Sequence, residues 1–254
     1  MSVVLVTGGT GQVGRALLPL LHGAGHDVRV ASRTPERSAR TPGQLVEVDL
    51  VTGDGLASAL AGVDVVVHLA TTNGRRDEEM MRTLIAGVES RPEKEPAHVI
   101  YLSIVGSDRI PLPYYRHKTA AEELALRSGL PVTVLRSTQF HSLVERLFSA
   151  QHRLPVLLVP AIALQPIDVP EVAARLAELV GQGPSGRVAD IGGPETLQVG
   201  DLARLWQRLR GRHRPQVPLR LPGRTFAAYR DGEQLVPGPP FGRTTFGEFL
   251  AREG

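Results

Sequence analysis

One pair of residues near the middle of the chain has the types and spacing that suit proton transfer. Tyr114 and Lys118 are four positions apart, so on a helix they share one face. An ammonium beside a phenol favours the phenolate and lowers the phenol's pKa, and it can also bind the hydroxyl groups of a ribose. A tyrosine tuned in this way can protonate a carbonyl oxygen. The pair therefore predicts a catalytic site, with a chance match of two surface residues as the alternative.

A second pattern, the stretch "VVLVTGGTGQVGRALL", places Gly8, Gly11 and Gly14 between an apolar run and a helical pattern. Glycine in a helix costs about 1 kcal/mol relative to alanine, so the spacing needs a reason. We expect Gly8 to allow a tight turn, Gly11 to let backbone approach a pyrophosphate, and Gly14 to let the helix pack against the sheet. The free amides at the helix N-terminus would then bind the phosphates. The stretch predicts a dinucleotide site, and hence a hydride donor for the tyrosine and lysine.

The end of the second predicted strand favours NADP, with NADPH preferred over NADH. A sheet that binds NAD usually carries a carboxylate there, whereas this chain has Ala31, Ser32 and Arg33. A guanidinium is suited to a 2′-phosphate, and Arg37 would be a second contact. Asp49 ends the third strand, either to bind the adenine amino group or as a simple turn residue.

The residues expected to bind the cofactor come from the glycine loop, the strand ends, the lysine and the segment after the sixth strand. They are Thr7, Gly8, Thr10, Gly11, Gln12, Val13, Gly14, Ser32, Arg33, Arg37, Asp49, Leu50, Leu69, Ala70, Thr71, Lys118, Gln139 and Phe140.

These residues require an α/β fold with strands and helices in alternation. Valine-rich runs predict strands at 2–7, 27–32, 44–49, 63–70, 98–103 and 131–136. Helical patterns lie near 12–23, 54–61, 76–89, 116–128, 141–151, 169–181, 199–210 and 244–252. The alternation predicts a Rossmann-type doubly wound parallel sheet. We expect a single NAD(P)-binding domain over 1–254, with a core over about 1–140 and a small C-terminal substrate lobe over about 141–254.

The chain resembles the short-chain dehydrogenase/reductase superfamily in its glycine loop, in "HLA" and "YLSIVG" at two strand ends, and in Tyr114 with Lys118. The segments "LSIVGSDRIPLPYYRHKTAAEE", "LRSTQFHSLV", "QPIDVPEVA" and "GRTTFGEFL" are similar to the atypical, NmrA-like NAD(P)H-binding branch. The resemblance implies a catalytic serine at the end of the fifth strand, where Ser103 stands. Many relatives carry the catalytic serine one position later, at the place of Ile104. A local backbone role for Ser103 is the alternative.

The segment "STQFHS" follows the sixth strand, and ligands of open α/β sheets lie beyond the carboxyl ends of strands. We therefore expect Gln139 and Phe140 to border the nicotinamide, and Thr138 and His141 to contact the substrate. A helix-start histidine bonded to backbone is the alternative for His141. His68, inside an apolar run, is interpreted as a core or cofactor-edge residue.

Composition narrows the remaining classes. The chain has no cysteine, a formal charge of +3 and only one modest basic cluster, "RLRGRHR", so we expect no disulfide and no nucleic-acid partner. The longest apolar stretch contains prolines and is too short to cross a bilayer, and no signal peptide is visible. We expect a cytoplasmic protein that is not bound to membranes. No residues have metal-ligand spacing, so no metal is expected.

Three functions fit these patterns. The leading one is an NADPH-dependent oxidoreductase that transfers hydride to a small carbonyl, enone or quinone. The second is an NADP(H)-binding sensor or regulatory protein with little turnover, which Ile104 in the serine's usual place favours. The third is a nucleotide-sugar epimerase or dehydratase, which the short C-terminal lobe disfavours. A homodimer and a monomer both remain open.

Overall fold

The computed structural model describes residues 1–34, 43–93 and 95–253. The strands are β1 Val3–Thr7, β2 Asp27–Ser32, β3 Gln44–Glu47, β4 Val65–His68, β5 His98–Ile104, β6 Val132–Ser137, β7 Leu157–Pro160, β8 Ala163–Leu164, β9 Gly186–Arg187, β10 Leu197–Gln198 and β11 Gln216–Leu219. The helices are α1 Gln12–Gly23, α2 Leu56–Leu60, α3 Arg76–Glu89, α4 Pro113–Arg127, α5 His141–Ser149, α6 Val169–Gln182, α7 Val199–Leu209, α8 Arg224–Arg230 and α9 Phe246–Arg252.

A seven-stranded sheet with the order β3-β2-β1-β4-β5-β6-β9 forms the centre of the fold. Strand β1 pairs in parallel with β2 on one side and with β4 on the other, so the strand order reverses at β1. Val4, Leu5 and Val6 of β1 are fully buried, as expected of a strand covered on both faces. The predicted Rossmann-type α/β fold is confirmed, and the reversal at β1 is the place where such sheets bind ligands.

The strand register brings three polar or aromatic residues into one row. Thr7 at the end of β1 is paired with His68 of β4, and His68 is paired with Tyr101 of β5. Register partners in neighbouring parallel strands present their side chains on the same face of the sheet. The row therefore crosses three strands near the carboxyl edge.

The chain divides into two compact units, each built from segments that are distant in sequence. The first unit contains Met1–Ser103, Pro113–Arg136 and Val172–Ala189, and the second contains Ile104–Leu112, Ser137–Glu171 and Asp190–Gly254. The predicted boundary near residue 140 stays a prediction.

The second unit has its own apolar core around Phe148, Trp206 and Phe246. Strand β11 pairs in parallel with β7, and β10 pairs antiparallel with β8. Sequence analysis missed these short strands and helix α8. The pairing of β7 with β11 joins segments about sixty residues apart and includes Pro160 and Pro218, so local patterns carry little strand signal there.

Candidate functional site

The glycine loop is held by close backbone contacts that exclude side chains. Gly8 has a φ of 70°, and a Cβ on it would lie 2.7 Å from the amide nitrogen of Ala70. A Cβ on Gly14 would lie 2.4 Å from Cα of Gly9. The close approach at Gly14 is to the loop, at Gly9, and α1 also contacts β2 of the sheet. Gly9, which the sequence analysis did not single out, approaches β2, since its Cβ would lie 2.6 Å from Cγ1 of Val30.

The loop leads into an α1 N-terminus that no side chain caps. Gly11 is the N-cap residue, and its amide closes a turn onto the carbonyl of Gly8 at 2.9 Å. A Cβ on Gly11 would meet only the Gly8 carbonyl, at 3.2 Å. Gln12 is exposed and Val13 is buried in the first helical turn. The amides of this turn give the terminus a positive end that suits an anion.

A cavity of about 350 Å³ opens beside the loop, at the carboxyl ends of the first strands. Its lining includes these predicted cofactor residues: Thr7, Gly8, Thr10, Gly11, Ser32, Arg33, Asp49, Leu50, Leu69, Ala70 and Thr71. The lining also includes residues that the sequence analysis did not assign to the cofactor: Ala31, Thr34, Val48, Val51, Thr72, Arg76 and Met80. Gln12, Val13, Gly14 and Lys118 belong to the same compact unit but not to this lining.

Two arginines and one carboxylate set the charge of the cavity. Arg33 follows β2 and Arg76 begins α3, and neither forms an ion pair within the described ranges. Asp49 turns one oxygen inward to accept the amide of Val51 at 2.7 Å, which is the turn role that the sequence left open. Arg37 lies outside the described residues. Two unpaired guanidinium groups favour an anionic ligand.

The row of Thr7, His68 and Tyr101 is held together by direct contacts. The Thr7 hydroxyl bonds His68 Nδ1 at 2.7 Å, and the His68 ring stacks on Tyr101 with 5.5 Å between centroids. Burial and, to a smaller extent, the charge of Lys118 lower the pKa of His68 to about 3, while Asp77 acts in the opposite direction, so this histidine is neutral at pH 7. Its role as a core or cofactor-edge residue matches this environment.

Lys118 is buried against Asp77 of α3 and over the ring of Tyr101. Its Nζ lies 3.6 Å from Oδ2 of Asp77 and 5.1 Å from the Tyr101 ring centroid. Burial lowers the pKa of Lys118, while Asp77 and then Glu122 act in the opposite direction. The lysine therefore depends on carboxylates for its charge.

The expected effect of Lys118 on Tyr114 is not seen. Burial raises the pKa of the Tyr114 phenol, and the neighbouring Tyr115, in edge contact at 4.6 Å between centroids, raises it further. The predicted lowering is wrong because the ammonium faces Asp77 instead. Tyr114 keeps its proton at neutral pH, and its catalytic role stays a prediction.

Ser103 lies near the end of β5 with only 2% of its surface exposed. Its hydroxyl has no hydrogen-bond partner within the described part of the chain. A buried hydroxyl without a partner is uncommon and needs an explanation, such as a ligand or a water. The alternative of a local backbone bond is not present for this side chain.

The segment after β6 belongs to the second unit. Thr138 donates its hydroxyl to the carbonyl of Gln165, and His141 Nε2 is bonded to the carbonyl of Thr244 at 2.9 Å. Burial lowers the pKa of His141, whose side chain is 1% exposed at the start of α5. This is the helix-start arrangement that the sequence left as an alternative. Gln139 has an amide with neither end partnered among the described residues, and Phe140 is half-buried.

The described ranges contain neither a group of metal ligands nor a membrane-spanning helix. Within them, no group of three or more histidine, cysteine, aspartate or glutamate side chains could hold a metal ion. Over the same ranges, every helix is too short or too polar to cross a membrane.

The cavity fits a nicotinamide dinucleotide on three observations. Side chains at Gly8 and Gly14 would clash with backbone, so the loop can present bare amides to a pyrophosphate. Arg33 and Arg76 supply positive charge in the lining, without an ion-pair partner in the part of the chain that the structure describes. The volume lies within the range of small-molecule sites. A parallel sheet with this loop and cavity at its reversal point defines a dinucleotide-binding protein.

Comparison with known proteins leads to a family. The model of the NAD(P)H-binding family matches residues 8–146, and the chain belongs to that family. The match confirms the predicted NAD(P)H-binding family and a nicotinamide cofactor. The chain is 29% identical over 219 residues to the (4-alkanoyl-5-oxo-2,5-dihydrofuran-3-yl)methyl phosphate reductase of Streptomyces griseus, covering 83% of this chain and 74% of that protein.

Solved structures share the fold over nearly the whole chain. An NADPH-dependent quinone oxidoreductase from Escherichia coli, solved with NADPH, has a TM-score of 0.81 at 18% identity and covers 99% of both chains. A nucleoside-diphosphate-sugar epimerase from Staphylococcus aureus also has a TM-score of 0.81, at 16% identity, and covers 98% of this chain and 99% of its own. These likenesses show that the fold is shared.

Proposed function

We propose that the protein is an NADPH-dependent oxidoreductase that reduces a small carbonyl, enone or quinone substrate. The observation that carries the proposal is the cavity, in which the glycine loop, the uncapped α1 N-terminus and Arg33 stand together without a carboxylate at the end of β2. The similarity to a reductase supports redox chemistry over epimerisation. Hydride is the chemistry that a reduced nicotinamide supplies when bound.

The chain's own residues have separate roles in this proposal. The amides of the first turn of α1 bind the pyrophosphate, and Arg33 binds the 2′-phosphate. Tyr114 donates a proton to the substrate oxygen, and its phenol, whose pKa burial raises, carries that proton at neutral pH. Ser103 orients the substrate with its unpartnered hydroxyl. Lys118 binds ribose hydroxyls.

Cofactor choice is tested by titrating the purified protein with NADPH and NADH in a calorimeter. We expect tighter binding of NADPH, and we expect Arg33→Ala to weaken NADPH about tenfold, roughly the contribution of one charge-assisted contact, with little change for NADH. Arg76→Ala tests the arginine that the sequence analysis missed. Arg75→Ala is the matched control, because Arg75 is exposed outside the cavity lining. Equal binding of both coenzymes would contradict the assignment of Arg33.

Catalysis is tested by following NADPH oxidation with a panel of aldehydes, ketones, quinones and unsaturated lactones. We expect Tyr114→Phe to lower kcat by about 100-fold, the usual contribution of a general acid, while NADPH binding is retained. Tyr229→Phe in α8 is the control for loss of a tyrosine hydroxyl. Full activity of the Tyr114→Phe variant would exclude the proton-donor role.

A second candidate is the NADP(H) sensor, favoured by Ile104 beside Ser103. Tight NADPH binding with no oxidation against the whole panel would favour it. In this proposal the protein acts on a small-molecule substrate in the cytoplasm, and it binds no nucleic acid or membrane.

A further inference from the structure

Asp77 is a buried carboxylate to which the proposed function gives no role. It is 1% exposed at the start of α3. Its Oδ1 accepts the amide of Thr72 at 2.6 Å and the hydroxyl of Thr72 at 2.8 Å, and its Oδ2 accepts the hydroxyl of Thr71 at 2.5 Å. The same Oδ2 lies 3.6 Å from Nζ of Lys118. One carboxylate thus joins a loop and a lysine.

Four elements contribute groups that face Lys118. Among the described residues, Asp77 is the group that forms a salt bridge with it. His68 of β4 is neutral, and Tyr101 of β5 offers its ring face. Glu122, on α4 itself, is engaged by the guanidinium of Arg136 at 2.6 to 3.0 Å. Asp77 is the carboxylate within salt-bridge distance among the described residues. A buried ammonium loses its charge readily without such a partner.

The loop held by Asp77 is part of the cavity wall. Thr71 and Thr72 line the cavity, and the next residue, Asn73, has a φ of 56°, in the left-handed region. The amide of Asn73 is bonded to the Thr71 hydroxyl at 3.1 Å. A non-glycine residue in that region is held by local hydrogen bonds. The Asp77 carboxylate accepts hydrogen bonds from Thr71 and Thr72, the two residues that precede Asn73.

We propose that Asp77 is a positioning residue that fixes Lys118 as a charged group and ties it to the Thr71–Thr72 wall of the dinucleotide cavity. The role of Lys118 toward the ribose rests on the proposed function, whereas its charge and its link to the wall do not. Removing the carboxylate would therefore change two quantities together: the protonation of Lys118 and the affinity for the coenzyme.

The protonation of Lys118 can be read directly, because the chain contains only two lysines, Lys94 and Lys118. Labelling with ¹³C-lysine gives two Cε signals, and Lys94→Arg assigns them. We expect Asp77→Asn to lower the midpoint of the Lys118 titration by about one pH unit, a tenfold change in its protonation constant. Glu78→Gln is the matched control: it removes the neighbouring carboxylate, which pairs with His117, and should leave the midpoint unchanged. An unchanged midpoint in Asp77→Asn would overturn the proposal.

The link to the cavity is measured by NADPH calorimetry on the same variants. We expect Asp77→Asn to weaken NADPH binding about tenfold, whereas Glu78→Gln binds like wild type. A changed titration with unchanged NADPH affinity would overturn the link. If the wild-type protein does not bind NADPH, the proposed function fails, while the lysine titration still decides the ion pair.

A milder variant keeps the test valid if Asp77→Asn does not fold. Thr71→Val keeps the carboxylate but removes one of its hydrogen bonds. A carboxylate with fewer donors has more of its charge available to the ammonium, so we expect the Lys118 midpoint to rise slightly and NADPH binding to weaken. A midpoint and an affinity both equal to those of wild type would contradict the coupling.

Discussion

Helix α4 carries two buried charged side chains one turn apart, Lys118 and Glu122, and the structure pairs them differently. Glu122 receives three hydrogen bonds of 2.6 to 3.0 Å from Arg136 of β6, and both side chains are at most 3% exposed. Nζ of Lys118 lies 3.6 Å from Oδ2 of Asp77, and the same carboxylate accepts a shorter hydrogen bond from the amide of Thr72, in the loop before α3. The close pair joins α4 to β6 of the sheet, whereas the longer pair joins α4 to α3.

The comparison teaches that burial alone does not indicate function. A buried pair whose every donor is matched acts as a fixed element of the core. In the Lys118 and Asp77 pair the contact is longer, because the carboxylate also accepts hydrogen bonds from Thr71 and Thr72. Three predictions test how burial of a charged or titratable side chain affects stability, in order of decreasing effect.

The largest effect is expected from breaking the close pair. Glu122→Gln leaves the Arg136 guanidinium buried without its counter-charge, which should destabilise the protein by about 3–5 kcal/mol in urea unfolding. Replacing both partners together, as Glu122→Leu with Arg136→Met, should recover much of that loss. Glu123→Gln is the control, since Glu123 is half-exposed and pairs only with Arg127 on the surface. A loss below about 1 kcal/mol in Glu122→Gln would contradict a structural role.

An intermediate effect is expected from acid, through His68. Its pKa in the folded protein is about 3, below the ordinary value of 6.5, so the unfolded chain binds the extra proton first. Stability should fall as pH drops below 6.5, by up to about 1.4 kcal/mol per pH unit and so by about 2 kcal/mol at pH 5. His68→Asn should flatten this dependence in urea unfolding between pH 5 and 7, while the exposed His152→Asn should not. Identical pH slopes for wild type and His68→Asn would refute the assignment.

The smallest effect is expected at the second pair between α3 and α4, that of Glu78 with His117. His117 Nδ1 lies 2.6 Å from Oε1 of Glu78, but the side chains are 29% and 25% exposed. Water screens such a pair, so Glu78→Gln should change stability by about 0–1 kcal/mol. A double-mutant cycle with His117→Gln measures the coupling. A coupling as large as that of Glu122 with Arg136 would remove the distinction between buried and half-exposed pairs.

Much of the fold was predictable because its signals are local. The valine-rich strands, the glycine spacing and the alternation with helices each occupy a short stretch, and all appear close to their expected bounds. The strand pair β7 and β11 was not predicted, since neither segment shows a strand pattern without the other. Most cavity residues followed from the strand ends, but Arg76 did not, because it enters the lining from a helix start.

The sequence by itself determined the central sheet, the glycine loop and the family, because glycine spacing and apolar periodicity act over a few residues. Only the tertiary structure decided which charges meet. Lys118 was expected beside Tyr114 from helical spacing, yet it faces Asp77, forty-one positions earlier, because packing brings α3 against α4. Electrostatic pairing depends on distances of a few ångströms across the fold, and no spacing along one helix can fix those.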